Sequence, residues 1–278
     1  GYLHSPGGGN YYAAIWTNDQ LEYANPCFAY FSYYPAYASC IRSMDLYEPY
    51  MYKNQALVTS IIAEGTSFWN GAKDRGDGAM YAYGASSFLL IIGNKELAQA
   101  YVKPIQWCLD YTLNKINEQG VIESDTDELE NRFESGKANL ATNAIAYAAL
   151  NRAANLFNAL NIPQNYKEKA EELKRKIDEY FFGQVEGYFT YQYCKEEKHL
   201  RVQMCYPLMN GILTKKEEVV SLGIVLKTHP YKESDSLVTV YFKDYGKMTL
   251  IARGVKKLKS KNASACQSLT LSEFTFIP

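Results

Sequence analysis

Apolar residues recur every three or four positions through NYKEKAEELKRKIDEYFF, where Tyr166, Ala170, Leu173, Ile177 and Phe181 share one side and charges fill the rest. That spacing predicts an amphipathic helix over 165–182. Similar stretches over 24–40, 51–69, 79–93, 97–118 and 139–160, with Gly, Asp or Asn between them, predict helical hairpins joined by polar loops. Ile15 and the apolar run Phe88–Ile92 are assigned to the core rather than to a site.

Beyond residue 212 the pattern changes. Gly223–Thr228 (GIVLKT), Ser236–Phe242 (SLVTVYF), Lys247–Arg253 (KMTLIAR) and Leu269–Ile277 (LTLSEFTFI) are β-branched-rich runs of strand length, with His229-Pro230 and Asp244-Tyr245-Gly246 as turn material. Short strands at this spacing predict a small barrel or sandwich. A five-stranded barrel that lays nucleic acid on one face uses lysines for phosphates and aromatics for bases.

Charge divides the chain at the same place. The net charge of -1 hides nine Lys and Arg against four Asp and Glu in 219–278, and twenty against twenty-six before it. Such asymmetry points to different partners, one of them a polyanion. Arg253, Lys256, Lys257, Lys259 and Lys261 stand in a stretch without an acid, and Lys227 and Lys232 precede them. These residues are the candidate phosphate contacts, with Tyr231, Tyr241 and Phe242 as candidate base stackers.

GIVLKTHPYKESDSLVTVYFKDYGKMTLIARGVKKLKSK resembles the N-terminal oligonucleotide-binding (OB) barrel of the bacterial recombination mediator RecO. Shared in order are G-I-V-L-K-T, Y-x-E-x-D-x-L-V, G-K and A-R-G-x-K-K. The resemblance covers about 60 residues and stops before the barrel's last strand and the family's helical and zinc-bearing parts. It implies binding of single- or double-stranded DNA in recombinational repair, partnership with RecR and single-strand-binding protein, and a cytoplasmic location.

In the first part, chemistry would sit in loops. PGGGNYYAAIWTNDQLEY sets Trp16, Asn18, Asp19 and Glu22 beside glycines and tyrosines, and VIESDTDELENRFESG carries six acids and one arginine between Glu123 and Glu134. The second loop opens like a calcium loop but lacks the glycine and distal glutamate, so no metal is expected. Twenty-two of the twenty-five tyrosines lie in 1–218, which suits sugar faces as well as helix packing.

PGG-x-YY-x-x-x-W-x-N-D-x-x-E-Y, SDTDELENRFESGKANLATNAIAYAAL and LRVQMCYPLMNGI resemble a bacterial branch of the six-hairpin, (α/α)6 toroid, glycoside hydrolases. The resemblance implies a carbohydrate substrate near Trp16 and Asp19, and a carboxylic acid in the loop between the fifth and sixth helices. Counting helices makes that loop Glu123–Glu134, with Glu128 as the expected proton donor and Asp125 and Asp127 as alternatives. Toroid families draw the general base from late hairpins. Here the helical pattern ends near Gly211, so the base is missing.

The fold expected is therefore multidomain and mainly α: a partial (α/α)6 toroid over 1–212, a junction at 213–220, and an incomplete all-β OB-like barrel over 221–278. DNA binding is the first expected function. A carbohydrate-active enzyme completed by another chain is the second, and a truncated or chimeric gene product the third, since the chain begins at Gly1 inside one motif and stops at Pro278 inside a barrel. No cofactor is expected. No apolar run is long enough for a membrane span, and no signal peptide is visible.

Cys27, Cys40, Cys108, Cys194, Cys205 and Cys266 form no C-x-x-C pair, and His4, His199 and His229 are isolated. Three short matches carry no chemistry. They are Arg75-Gly76-Asp77 as an adhesion tripeptide, Asn262-Ala263-Ser264 as a glycosylation acceptor, and Pro6-Gly7-Gly8-Gly9, which lacks the Lys and Ser or Thr of a phosphate loop.

Overall fold

The computed structural model describes residues 14–31, 33–62, 67–130, 132–212, 219–257 and 259–276. His4, the Pro6–Gly9 run, Ile277 and most of the expected junction at 213–220 lie outside them. The chain divides into two compact units. One runs to Val185 and resumes over Thr190–Ile212; the other takes Glu186–Phe189 and the residues beyond Ile212.

The chain passes from β1 (Ala14–Trp16) into a π-helix (Thr17–Ala24), α1 (Asn25–Phe28), α2 (Tyr34–Asn54), β2 (Ser60–Ile62) and β3 (Phe68–Trp69). Then come α3 (Asp77–Ile92), α4 (Lys95–Ala100), α5 (Val102–Leu113), α6 (Leu140–Ala159) and α7 (Tyr166–Phe181). A ribbon of β4 (Phe182–Val185) and β5 (Tyr188–Tyr191), a 3-10 turn over Val202–Cys205 and α8 (Tyr206–Met209) follow.

Helices α3 and α6 are buried on most sides and pack on each other, the behaviour of a helix that is apolar nearly all round. Both helices are rich in small buried residues, among them Ala82 and Ala85 on α3 and Ala149 and Ala153 on α6. Helix α7 buries only Tyr166, Ala170, Leu173, Ile177 and Phe181, the side its sequence spacing predicts. Start and stop signals are local. Asn139 caps α6 by accepting from the Thr142 N–H at 2.8 Å, and Gly76 and Gly93 bound α3 in the left-handed region.

The front of the unit departs from expectation. The predicted helix over 24–40 is broken, because Pro26 and Pro35 each sit in the first turn of a separate helix, α1 and α2. Of the predicted helix over 51–69 only 51–54 is helical, as the end of α2, and β2 and β3 follow, since Val58-Thr59-Ser60-Ile61-Ile62 prefers extended backbone once Gln55 turns left-handed and ends α2. The stretch 97–118 is two helices parted at Tyr101, with Pro104 in the first turn of the second.

In the second unit, β6 (Val219–Tyr231), β7 (Asp235–Phe242), β8 (Gly246–Ala252) and β9 (Leu271–Phe276) form an antiparallel sheet in the order β8-β7-β6-β9. Long β6 serves two partners, pairing β9 through Val219–Ile224 and β7 through Gly223–Tyr231. A bulge between Val225 and Lys227 sharpens its bend. The sheet curls into a half-barrel around Val225, Val238, Val240, Phe242 and Phe276, closed by Val255 and Cys266. A Cβ on Gly223 would lie 2.5 Å from Val240 Cγ1 and 2.8 Å from Phe242 Cδ1, so glycine is what lets β6 cross this core. His229-Pro230 is not the turn: Pro230 pairs with Ser236 inside the ladder and the chain reverses over 232–234.

Among the described residues no helix is long and apolar enough to cross a membrane, and no group of three or more His, Cys, Asp and Glu is placed to hold a metal ion. The six cysteines are free thiols.

Candidate functional site

In the first unit the strand register builds one wall of a pocket. Trp16 on β1 and Trp69 on β3 both pair with Ser60 on β2, which places their ring centroids 5.4 Å apart. Just after Trp16 the chain is anchored from below. The Thr17 hydroxyl donates to the Val58 carbonyl at 3.0 Å and the Tyr47 hydroxyl donates to the Ile15 carbonyl at 2.7 Å. The π-helix that follows presents Asn18 and Asp19, and the acidic loop presents Glu128, Leu129, Glu130 and Arg132. With Trp16 they line a pocket of about 310 Å³.

Arg75 ties these two segments together. Its buried guanidinium lies 2.7 Å from Asp77, 3.2 Å from Glu130 and 3.4 Å from Asn18, and 5.9 Å from the Trp16 ring centroid. The Arg75-Gly76-Asp77 tripeptide is thus an interior ion pair.

The three carboxylates of the acidic loop have different surroundings. Glu128 lines the pocket and accepts from the Tyr23 hydroxyl at 2.9 Å and from the Tyr206 hydroxyl; the two phenols are 3.2 Å apart. Asp127 is fully buried, accepting from the Leu129 N–H at 2.9 Å and the Tyr193 hydroxyl at 2.5 Å, so it fixes the loop. Asp125 is exposed and accepts from the Asp74 N–H at 3.1 Å. Burial, then the charge of nearby glutamates, pushes the Tyr23 and Tyr206 hydroxyls well above their ordinary range.

Glu22 takes a larger part than its place in the sequence motif suggests. It is partly buried with Oε2 sealed from solvent, and burial, followed by the charge of Glu128, holds its carboxyl well above the ordinary value of 4.5. In the sequence Arg75 stands only within a discounted tripeptide, and Tyr23 and Tyr206 only as letters of the hydrolase-like motifs, with no site role assigned to any of them. Tyr206 reaches Glu128 across 78 residues of chain, a relation that no local signal carries.

In the second unit the basic residues converge on one end of the sheet. The Lys256 N–H donates to the Ser234 carbonyl at 3.0 Å, the Lys256 ammonium to the Lys232 carbonyl at 3.2 Å, and the Gly254 N–H to Asp235 Oδ1 at 2.8 Å. These bonds fold the segment after β8 onto the β6–β7 turn. They bring exposed Arg253, Lys256 and Lys257 to the end that carries Lys232, with exposed Lys259 and Lys261 following in the same segment and the Lys232 ammonium 5.4 Å from the Tyr231 ring centroid. Asp235 is the clamp, its carboxyl held below the usual range chiefly by the Gly254 N–H. Lys227 lies mid-strand opposite Thr239, and exposed Tyr241 pairs with Lys247 at the far end of β7, so these two do not join the cluster; Phe242 is fully buried in the half-barrel core and is not a base stacker.

Residues 217–277 match the family described as Recombination protein O N terminal. The chain is 44% identical over 54 residues to the DNA repair protein RecO of Listeria welshimeri, covering 19% of this chain and 21% of that protein. It is 42% identical over 52 residues to the same protein of Bacillus cytotoxicus, with 19% and 21% covered. The chain therefore spans about a fifth of the length of the curated relatives it matches. Among solved structures, a glycoside hydrolase of family 105 from C. acetobutylicum superposes with a TM-score of 0.50 at 13% identity, covering 64% of this chain and 52% of that one. At that identity the likeness is one of fold. The helical unit resembles part of a six-hairpin hydrolase, and the sheet that follows it resembles the N-terminal domain of the RecO family.

Proposed function

We propose that the C-terminal unit binds DNA through the basic end of its half-barrel, in a repair or recombination setting. One observation carries this: hydrogen bonds from Gly254 and Lys256 tie the segment that carries exposed Arg253, Lys256, Lys257, Lys259 and Lys261 to the β6–β7 turn that carries exposed Lys232, and the chain holds no acid between Asp244 and Glu273. Phosphate backbones answer to such a cluster irrespective of sequence. Single- and double-stranded DNA are both suitable ligands, and RecR and single-strand-binding protein are the partners that the family likeness suggests. The test is fluorescence anisotropy of the whole chain with labelled oligonucleotides. Charge reversal of Lys256, Lys257 and Lys259 should abolish binding at moderate salt; unchanged affinity would rule the reading out.

A second reading concerns the helical unit. Trp16, Asp19 and Glu128, singled out from separate motifs, line one pocket, which suits a sugar ring against an aromatic face with a carboxyl beside it. Hydrolysis of an aryl glycoside or oligosaccharide that disappears in Glu128→Gln would support this reading. Inverting hydrolysis also needs a base roughly 6.5 to 9.5 Å from the acid. Another chain would supply it. Absence of turnover across a broad glycoside panel would count against the reading.

A further inference from the structure

Next to the main pocket is a second cavity of about 10 Å³, whose polar lining is Glu22, Arg75, Thr142, Glu128 and Tyr206, closed by apolar side chains of α3 and α6. Its volume is about that of one water-sized probe. Two buried atoms of its lining residues, Glu22 Oε2 and Arg75 Nε, have no hydrogen-bond partner among the described residues. The rest of the Arg75 guanidinium is engaged by Asp77, Glu130 and Asn18. Buried polar atoms of this kind are satisfied by internal water, which makes about three hydrogen bonds.

The donor inventory fits a single water. The Arg75 Nε–H and a protonated Glu22 carboxyl are donors, and a water accepts from both. The same water has two hydrogens to give, one to a Glu128 oxygen and one to the Thr142 or Tyr206 hydroxyl oxygen.

We propose that Glu22 and Glu128 form a water-bridged pair sharing one proton, with Glu22 the site where the proton is stored. The relay is balanced. The Glu22 O–H breaks as its proton passes to the water, a different water O–H breaks as its proton passes to Glu128, and Glu22 is left as the carboxylate. No electrons are exchanged and no further reactant is needed. Burial and the negative charges of Glu128, Asp77 and Asp19 favour the proton on Glu22, while Arg75 opposes it and steadies the carboxylate once it forms. Tyr23 and Tyr206 keep their protons across this range and act on Glu128 as donors. On the second reading above, on which the use of the relay rests, the one shared proton would pass from Glu22 through the water to Glu128 and from Glu128 to the leaving group, leaving both carboxyls ionised until a proton is taken up again. Glu22 is then a proton store that never touches substrate.

The experiment is a carboxyl-carbon NMR titration of the whole chain labelled at glutamate, with Glu22→Gln to assign the signal and Glu128→Gln to perturb it. The expected result is a Glu22 signal titrating well above the ordinary carboxyl range and falling by about one pH unit or more in Glu128→Gln. An ordinary titration for Glu22, or one that Glu128→Gln leaves in place, overturns the pair. If Glu22→Gln does not fold, the raised signal that moves in Glu128→Gln serves as the assignment, and its absence is likewise decisive. None of this requires sugar turnover. Coupled carboxyls without glycoside hydrolysis keep the pair and remove the hydrolase reading, whereas hydrolysis with uncoupled carboxyls removes the pair alone.

Discussion

A Cβ on Gly84 would lie 1.7 Å from the carbonyl oxygen of Leu21 and 2.5 Å from its carbonyl carbon. Helix α3 therefore runs directly against the backbone of the π-helix, and the contact that fixes Leu21 also fixes its neighbours Asp19 and Glu22. Backbone cannot swing aside as a long side chain can. Gly84→Ala must push the π-helix away, at a cost of about 1–3 kcal/mol or more. Urea unfolding checks this, with Gly183→Ala as control because a Cβ there meets nothing within 4 Å. The control should stay within about 0.5 kcal/mol of the parent. Equal losses in the two variants would show that the close approach is wrong.

Arg75 and Asp77 have no exposed side-chain surface, and their ion pair is 2.7 Å long. Replacing Arg75 by Met leaves the Asp77 carboxylate buried without its counter-charge, and breaking such a pair costs about 3–5 kcal/mol. Arg75→Met with Asp77→Asn should lose clearly less than the sum of the two single variants, because the pair acts as a unit. Denaturant midpoints of the three variants decide it, and strict additivity would mean the pair contributes no coupling. The single variant also frees Asn18 and Glu130 from their shared partner, so the pocket beside Trp16 should loosen and tryptophan emission should shift to the red.

Glu22 gives the helical unit a pH dependence of definite sign. Its folded carboxyl binds its proton more tightly than an ordinary carboxyl near 4.5, so the folded state holds more protons than the unfolded state over the interval between the two values. Stability linked to that proton is complete below the unfolded value. It drains away as pH rises towards and through the folded value. The chain should therefore lose stability from Glu22 as pH climbs above about 4.5, and Glu22→Gln should remove that slope. Thermal melts of the two proteins across the acid-to-neutral range provide the check; parallel curves would mean that Glu22 ionises normally in the fold.

The sequence was most legible where one local rule acted alone. Helix α7 follows from a charged sequence with a single apolar side, and β7 and β8 from alternating β-branched runs. Legibility failed where two rules competed. Apolar residues over 51–69 look helical by spacing, yet the β-branched segment at 58–62 takes the extended state because β1 and β3 lie ready to pair with it. His229-Pro230 reads as a turn, yet Pro230 is tolerated near the end of β6 and the reversal falls on Lys232, whose φ of 56 is an unusual conformation for lysine. At the pocket, Trp16, Asp19 and Glu128 were legible as polar or aromatic residues in loops. The surroundings that set Glu128 apart from Asp127 and Asp125 come from Tyr23 and Tyr206, which only the tertiary fold delivers.

The basic end of the half-barrel makes a quantitative prediction about salt. If Lys232, Arg253, Lys256, Lys257, Lys259 and Lys261 each neutralise one phosphate of a single strand, log Kobs should fall against log salt with a slope of roughly -4, at about -0.7 per contact. Reversing Lys256, Lys257 and Lys259 should bring the slope to about -2 or shallower. The aromatic residues should divide in the same way. Tyr231 stands beside the cluster with Lys232 over its ring, whereas Tyr241 lies six positions along β7 from Asp235, on the order of 20 Å at strand rise. Tyr231→Ala should then weaken binding by about 1–3 kcal/mol through a lost stacking platform, and Tyr241→Ala by much less. Anisotropy titrations at several salt concentrations read both quantities. A larger loss in Tyr241→Ala, with the slope untouched by lysine reversal, would move the binding surface from the turn end of the sheet to the open face of β6 and β7.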